Sequence, residues 1–402
     1  MLAPLRGIQV LDLTRVLSGP FATQQLIDLG AEVIKIEHPV GGDDTRRFGP
    51  PFVHGESTYF LSINRGKQSV AVDLKEERGR ELVLALAQRV DVVIENFRPG
   101  TSERLGLGHE TLRKLKPSLV TCAISGYGSD GDPDYAGLPG YDAIIQAASG
   151  LMALTGSPEG EPTKLGIAIA DMVAGMFAAQ GILAALFERQ KSGQGHHVEI
   201  SMLEAMTALL TYQAGIYFAT SQNPARMGNA HPSICPYETI ETKDGLYALA
   251  VGNDAQFDRL VHLMSLPWLK DDERFRSNRA RVENRGALMA VLTPKFRERT
   301  RDEWDRVFRE AGIPGGPVLE VAQALEHPQL HARGAILTHH HPIAGLVRSV
   351  ASPVRLDGAP PLSVAAPPRI GEHTRPVLKR MLGLNDSAID ALLLAKVIAE
   401  PS

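Results

Sequence analysis

Gly166-Ile-Ala-Ile-Ala-Asp-Met-Val-Ala-Gly-Met-Phe-Ala-Ala-Gln-Gly-Ile-Leu-Ala-Ala-Leu-Phe187 is the most apolar stretch of this 402-residue chain, and its reading decides the fold. About 20 apolar residues in a row are enough to span a bilayer. Against that, Asp171 and Gln180 interrupt the run, many of its residues are Ala or Gly, and no second span accompanies it. A helix that opens with Asp171 as its cap and closes at Glu188-Arg189-Gln190-Lys191 carries ordinary globular signals. The stretch therefore predicts a buried core helix, with no membrane partner.

Outward from this helix, short apolar runs alternate with helical patterns. Strands are expected at 8–13, 32–36, 69–73, 90–95, 119–124 and 197–201, and helices near 21–29, 76–89, 109–116, 143–154, 171–189 and 202–219. This is the β/α alternation of a parallel sheet covered on both faces, so the fold class is α/β. After Thr220 the pattern changes. Ser221-Gln-Asn-Pro-Ala-Arg-Met-Gly-Asn-Ala-His-Pro232 reads as a linker, a hairpin follows at 238–242 and 246–251, and helices follow near 255–264, 280–296 and 302–311. The expected organisation is a large domain over 1–220, a linker over 221–236, a smaller α+β domain over 237–330, and a return over 331–402. That return is proline-rich, with Pro353, Pro360, Pro361, Pro367 and Pro368 before a last helix at 386–396.

Composition narrows the function. The chain is 44% hydrophobic and 22% charged with net charge -4, which gives no basic face of the kind nucleic acid needs. Cys122 and Cys235 are too few and too far apart for a disulfide framework or a Cys-rich zinc site, so a reducing, cytoplasmic setting is expected. The opening residues lead directly into a strand-like run, with neither a signal-peptide core nor an amphipathic transit pattern. Gly126-Tyr-Gly-Ser-Asp-Gly131 follows a strand, yet it runs into Asp132-Pro133-Asp134 where a dinucleotide site needs a helix N-terminus. His339-His340-His341 falls in a strand, where adjacent side chains alternate faces, and it reads with His196-His197 as a solvated edge; no metal is expected.

Asp171 itself fits two roles at once. Asp is a favoured N-cap. A helix N-terminus holds an anion and lowers its pKa, and an ionised carboxylate in apolar surroundings is able to attack a carbonyl.

A run of short motifs then gives the chain a resemblance over nearly its whole length. Leu5-x-Gly-Ile-x-Val-Leu-Asp-Leu-Thr-Arg-Val-Leu-Ser-Gly-Pro20, Gly30-Ala-Glu-Val-Ile-Lys-Ile-Glu37, Gly42-Asp-Asp-Thr-Arg46 and Asn64-Arg-Gly-Lys67 come first. Glu95-Asn-Phe-Arg-Pro-Gly100, Gly140-Tyr-Asp142, Ala170-Asp171, Lys191-Ser-Gly-Gln-Gly195 and Gly371-Glu-His-Thr374 follow. In this order and spacing they resemble the class III coenzyme A transferases. Gly41-Gly-Asp-Asp-Thr-Arg-Arg-Phe-Gly-Pro-Pro-Phe52 and Gly228-Asn-Ala-His-Pro-Ser-Ile-Cys-Pro-Tyr237 resemble the succinyl-CoA:glutarate branch most.

The resemblance implies a Rossmann-like large domain built from both chain ends, a small domain between them, and a homodimer threaded like linked rings. It implies Asp171 as nucleophile and coenzyme A as a substrate rather than a resident cofactor. CoA would lie against Arg15, Leu17, Ser18, His38, Leu74, Lys75, Asn96, Phe97, Arg98 and Arg104, with Phe97 on the adenine and the cations on the phosphates. Tyr141 and Asp142 match positions lining the acyl site, where formyl-CoA transferases carry Tyr-Glu. Arg46, Arg47 and His231 are cations on flanking segments suited to the second carboxylate of a dicarboxylic acid.

Two alternatives stand beside this reading. Acyl-CoA racemases of similar sequence use a His followed by an Asp as an acid/base pair, but Tyr141 occupies the matching position, and a phenol of pKa about 10 is a poor neutral-pH base. A non-catalytic CoA-binding protein is disfavoured by an intact Asp171.

Overall fold

The computed structural model describes residues 2–360, 362 and 364–401. Met1, Pro361, Ser363 and Ser402 lie outside the described residues, so Pro361 of the proline-rich return is not discussed further. The chain falls into two compact units, Met1–Leu151 with Lys164–Gly215 and Pro328–Ser402, and Met152–Thr163 with Ile216–His327. The expected linker clusters with the second unit, and so does the short insertion 152–163 that the sequence pattern placed in the first.

Among the described residues, seven strands make the main sheet of the first unit. In chain order six of them are β1 (Gln9–Asp12), β2 (Glu32–Glu37), β3 (Gln68–Val72), β4 (Val92–Glu95), β5 (Val120–Ser125) and β6 (His197–Ser201). They are parallel and lie in the order β3-β2-β1-β4-β5-β6, with Ile398–Ala399 antiparallel on the outer side of β3. Because β1 leads to β2 on one side while β4 sits on its other side, the crevice at the C-terminal ends of β1 and β4 is the switch point where such sheets bind ligands.

Both faces of the sheet are covered, so its strands read as near-continuous apolar runs. Val10, Val33, Val92 and Val120 pack on one face with Ala22, Leu26, Ala174, Ala178 and Ile182. Leu11, Ile34, Val70 and Val93 pack on the other with Val83, Leu86 and Val377. The first set meets α1 (Ser18–Asp28) and the long apolar helix, which spans Ile169–Ser192 and ends on Gly193 in the left-handed region at φ 71°. As expected, that helix carries core residues on one face, Ala170, Val173, Ala174, Ala178 and Ile182 among them.

Gly175 makes the contact between these two helices possible. A Cβ at that position would stand 2.5 Å from Ser18 O, a backbone atom that cannot swing aside. Gly175→Ala is therefore expected to push the start of α1 away and to cost about 1–3 kcal/mol, measured by chemical denaturation. Unchanged stability would mean that the two helices adjust freely.

Several elements differ from expectation. The helix expected at 143–154 breaks after Asp142–Ala148 because Gly150 turns left-handed at φ 82°, and the helix expected at 202–219 breaks into Met202–Ala208 and Thr211–Thr220. Arg285–Phe296 is separated from Asn278–Glu283 at Asn284. Thr374–Leu382 is a helix that the prolines masked, since Pro376 falls in its first turn, where no amide hydrogen is needed. His339, His340 and His341 do lie in a strand, Ile336–His341, but the solvated-edge reading fails for two of them: His339 and His341 are 7% and 0% exposed. Their period-two spacing puts both on the inner face of the hairpin with Gly345–Val350. Among the described residues no group of His, Cys, Asp or Glu is arranged to hold a metal ion.

The second unit has its own three-stranded antiparallel sheet, with Leu246–Ala250 between Tyr237–Glu241 and Gly315–Pro317. Tyr247, Phe257, Leu260, Leu288, Phe296, Trp304 and Phe308 form its core.

Candidate active site

The turn after β1 is built on buried charge. Asp12 is 0% exposed and accepts from the Thr14 backbone and hydroxyl, the Thr23 hydroxyl and Lys67 Nζ. Lys67 Nζ also donates to Pro20 O at 3.0 Å, and Lys35 Nζ to Thr14 O at 2.8 Å while pairing with Asp43 at 2.9 Å. Burial opposes the Asp12 charge, yet Lys67, Lys35 and the hydroxyls hold its carboxyl below the ordinary range. Burial likewise lowers Lys67, to about 8, despite Asp12. The carbonyls on either side of residues 15–18 are thus pinned by ammonium groups. Within this pinned turn Val16 sits at φ 64°, a strained backbone for a β-branched residue and one often found at functional sites.

Asn96, at the end of β4, laces the two strand ends together. Its Oδ1 accepts from Arg15 N–H at 2.8 Å, and its Nδ2 donates to Arg15 O at 2.8 Å and Ser18 Oγ at 3.2 Å. Glu95 accepts from Phe97 N–H at 2.6 Å and from the Ser102 hydroxyl, which sets the course of the Phe97-Arg98 loop; burial raises the Glu95 carboxyl to about 7.

Two cavities flank this loop and share Phe97 as a wall. One, of about 270 Å³, gathers Arg15, His38, Leu74 and Lys75 with Thr101 and Leu105. The other, of about 200 Å³, gathers Ser18, Asn96, Arg98, Tyr141, Asp142 and Asp171 with Val16. Eleven of the positions named from sequence therefore line one cavity or the other. Leu17 does not; it is buried at the start of α1, and Arg104 instead donates to the Thr101 hydroxyl at 2.8 Å.

The three expected substrate cations have the following surroundings. Arg46 is not an unclaimed cation: it forms a two-pronged pair with the buried Glu37, lies 3.5 Å over the Phe60 ring and donates to Pro368 O. Arg47 is exposed and bonded to Asp44. His231 belongs to the second unit, where its ring lies 5.2 Å from that of Tyr237.

Asp171 is not the cap of its helix. It is the third residue; Ala168 is the N-cap and offers no side-chain acceptor. The acceptor comes from Asp142, at the start of Asp142–Ala148, whose Oδ1 takes the Ala170 N–H at 2.8 Å. Ile169 N–H goes to Ile167 O, so these two first-turn amides are not open to a reaction oxyanion. The expected lowering of the Asp171 pKa is also reversed. Burial, and then the neighbouring Asp142 charge, push its carboxyl up to about 7, because desolvation outweighs the helix dipole.

Sequence reading missed Tyr59. Burial raises its phenol to about 12, followed by the charges of Asp171, Asp142 and Asp43, so it stands in their field as a neutral hydroxyl. Nothing periodic in Glu56-Ser-Thr-Tyr-Phe-Leu61 marks it. The G-x-G-x-x-G run also has a structural meaning. A Cβ on Gly126 would meet Gly140 Cα at 2.5 Å, so two bare backbones touch and bring Tyr141-Asp142 to the end of β5.

The model of the CoA-transferase family III matches residues 5–374. The chain is 42% identical over 397 residues to succinyl-CoA:glutarate CoA-transferase of Mus musculus, covering 99% of this chain and 91% of that protein. It is 39% identical over 384 residues to succinate–glutarate CoA-transferase of Agrobacterium fabrum, covering 94% and 96%. Among solved structures, a CAIB/BAIF family protein of Brucella suis superposes with a TM-score of 0.85 at 40% identity, covering 95% of this chain and all of that one. With a parallel sheet of the matching architecture and a half-buried carboxylate lining a cavity at its strand ends, the chain belongs to the family III CoA-transferases and is a transferase enzyme.

Proposed function

We propose that the protein moves coenzyme A from a donor thioester, succinyl-CoA, to a free dicarboxylic acid such as glutarate, itaconate or malate, with Asp171 as nucleophile. The observation that carries this reading is the half-buried Asp171 carboxylate in a cavity that shares the Phe97 wall with the one holding Arg15, His38 and Lys75.

The Asp171 carboxylate attacks the thioester carbonyl, the C–S bond breaks, and a mixed anhydride and CoA thiolate result. The thiolate attacks the aspartyl carbonyl of the anhydride and expels the donor acid, leaving an aspartyl-CoA thioester. The acceptor carboxylate attacks that thioester and releases the thiolate again. Finally the thiolate attacks the acceptor's carbonyl in the second anhydride, giving the new acyl-CoA and free Asp171. Each intermediate keeps the acyl group activated, so water must be excluded, and the apolar first turns of the helix suit that need.

In this reading Arg15, His38 and Lys75 hold the phosphates, and Arg98 offers a cation on the wall of the Asp171 cavity. Arg46 drops out, since Glu37 already claims it. Racemisation is disfavoured because Tyr141 is 70% exposed, with no imidazole in its place. The partner is a second copy of the chain: Met176, Phe177 and Phe187 form an exposed apolar stripe on the opposite side of the long helix from its core face. A reducing, cytoplasmic setting fits the two buried free thiols.

Incubation with succinyl-CoA and a panel of acids, followed by mass spectrometry, is expected to give the acyl-CoA of a dicarboxylate, together with a CoA adduct on the peptide carrying Asp171. Absence of exchange with every acid would overturn the reading.

A further inference from the structure

We propose that Asp142 and Gln146 are a positioning pair for Asp171: they cap its helix from a neighbouring helix and keep a second carboxylate beside the nucleophile. This inference rests on Asp171 being the nucleophile.

The long helix cannot cap itself, because Ala168 has no side-chain oxygen. Asp142 fills that gap from 28 residues earlier, taking the Ala170 N–H. Its other oxygen is held by Gln146 Nε2 at 2.8 Å, one turn further along Asp142–Ala148. Gln146 is 0% exposed, and it is the one polar residue on the buried face of that short helix, beside Ile145. Its remaining bonds all go to the segment leading into Asp171: Oε1 accepts from Leu165 N–H at 2.9 Å, and Nε2 reaches Ile167 O at 3.4 Å. One buried side chain thus ties the cap to the approach of the helix, and every bond it makes fixes where the first turn begins.

An asparagine at 142 would make the same cap without a charge. The aspartate sets an anion beside the nucleophile in a half-buried site, which disfavours ionisation of Asp171 and makes its ionised form more basic. The other groups around Asp171 are Tyr59 from Thr58–Ile63, Tyr141 ahead of Asp142, and Arg98 from the loop after β4. Among these neighbours Asp142 is the charge that acts on Asp171. A nucleophile that must expel a thiolate gains from that basicity, and the pair supplies it without touching substrate.

The test follows the Asp171 carboxyl itself by 13C NMR of protein labelled at the aspartate carboxyl carbon, with the resonance assigned by its loss in Asp171→Asn. In Asp142→Asn the titration midpoint of Asp171 is expected to fall by about one pH unit or more, and the acid limb of kcat/KM to move with it. Asp142→Ser, which also keeps a capping oxygen and removes the charge, is expected to do the same. Gln146→Leu leaves the charge but frees the approach segment, so kcat is expected to fall at least about tenfold while the Asp171 midpoint stays high and CoA binding is retained. A purely structural role would not move the midpoint. The proposal is overturned if Asp171 titrates as in the wild type in both Asp142 variants, or if Gln146→Leu turns over normally. Because the titration needs no substrate, a wild-type protein without transferase activity would sink the functional reading and leave the pair still tested.

Discussion

Asp171→Asn is expected to abolish CoA exchange and, at neutral pH, to make the protein more stable than the wild type. Exchange fails because an amide cannot open the thioester. The stability gain follows from linkage. The wild-type carboxyl is raised from 3.8 to about 7 in the folded chain, so between those values the folded state holds a proton that the unfolded state has lost. Stability therefore falls as pH rises from about 4 to about 7 and then levels off. At pH 8 the penalty is on the order of 4 kcal/mol at about 1.4 kcal/mol per pKa unit, and asparagine carries none of it. The variant should melt several degrees higher at pH 8, and the gap should shrink as pH is lowered towards 4, as read by calorimetry. A folded Asp171→Asn protein no more stable than the wild type at pH 8 would mean that the carboxylate is at ease where it stands. The result would then remove the stability cost that a functional site is expected to carry.

That cost marks the limit of what the residues alone disclose. The alternation of strands and helices was legible, because strands buried on both faces are apolar throughout and the intervening helices carry a 3.6-residue period. The breaks at Gly150 and Asn284 were not, because a single residue's backbone conformation leaves no trace in the pattern. Asp171 was legible as an anion in an apolar run, and the strand-end residues Arg15, His38, Lys75 and Asn96 through their place in the motifs. Its environment was not legible: whether a carboxylate near a helix start is eased by the dipole or strained depends first on how far the fold buries it, and then on Asp142, 29 positions away. Arg46 shows the same limit, since its partner Glu37 was in view but the side chain's burial was not. Gln146 left a faint signal, a lone amide one helical turn after Asp142 in an Ala/Ile-rich helix, and only the fold shows that it faces inward.

The second large effect is expected beneath the β1 turn. Asp12→Ala removes the carboxylate that accepts from Thr14, Thr23 and Lys67, and leaves the Lys67 ammonium bonded to Pro20 O at 3.0 Å inside a fully buried site. Breaking a buried pair in this way typically costs about 3–5 kcal/mol, because an uncompensated charge stays behind. Against a total stability of about 5–15 kcal/mol, that is enough to unfold a substantial part of the population on mild heating. The same loss unties the Thr14 amide and the Thr14 and Thr23 hydroxyls from the carboxylate beneath Val16 and Ser18, so whatever folds should bind CoA more weakly. Removing the stranded charge as well separates the two effects. Asp12→Asn with Lys67→Met keeps an acceptor for Thr14, turns an amide donor towards the Thr23 hydroxyl, which is able to accept, and leaves no ammonium to desolvate, so urea denaturation should show most of the stability restored. CoA affinity should stay low, because nothing then pins Pro20 O. If the single variant costs less than about 1 kcal/mol, water reaches Lys67, and the network is not what holds the turn at the mouth of the site.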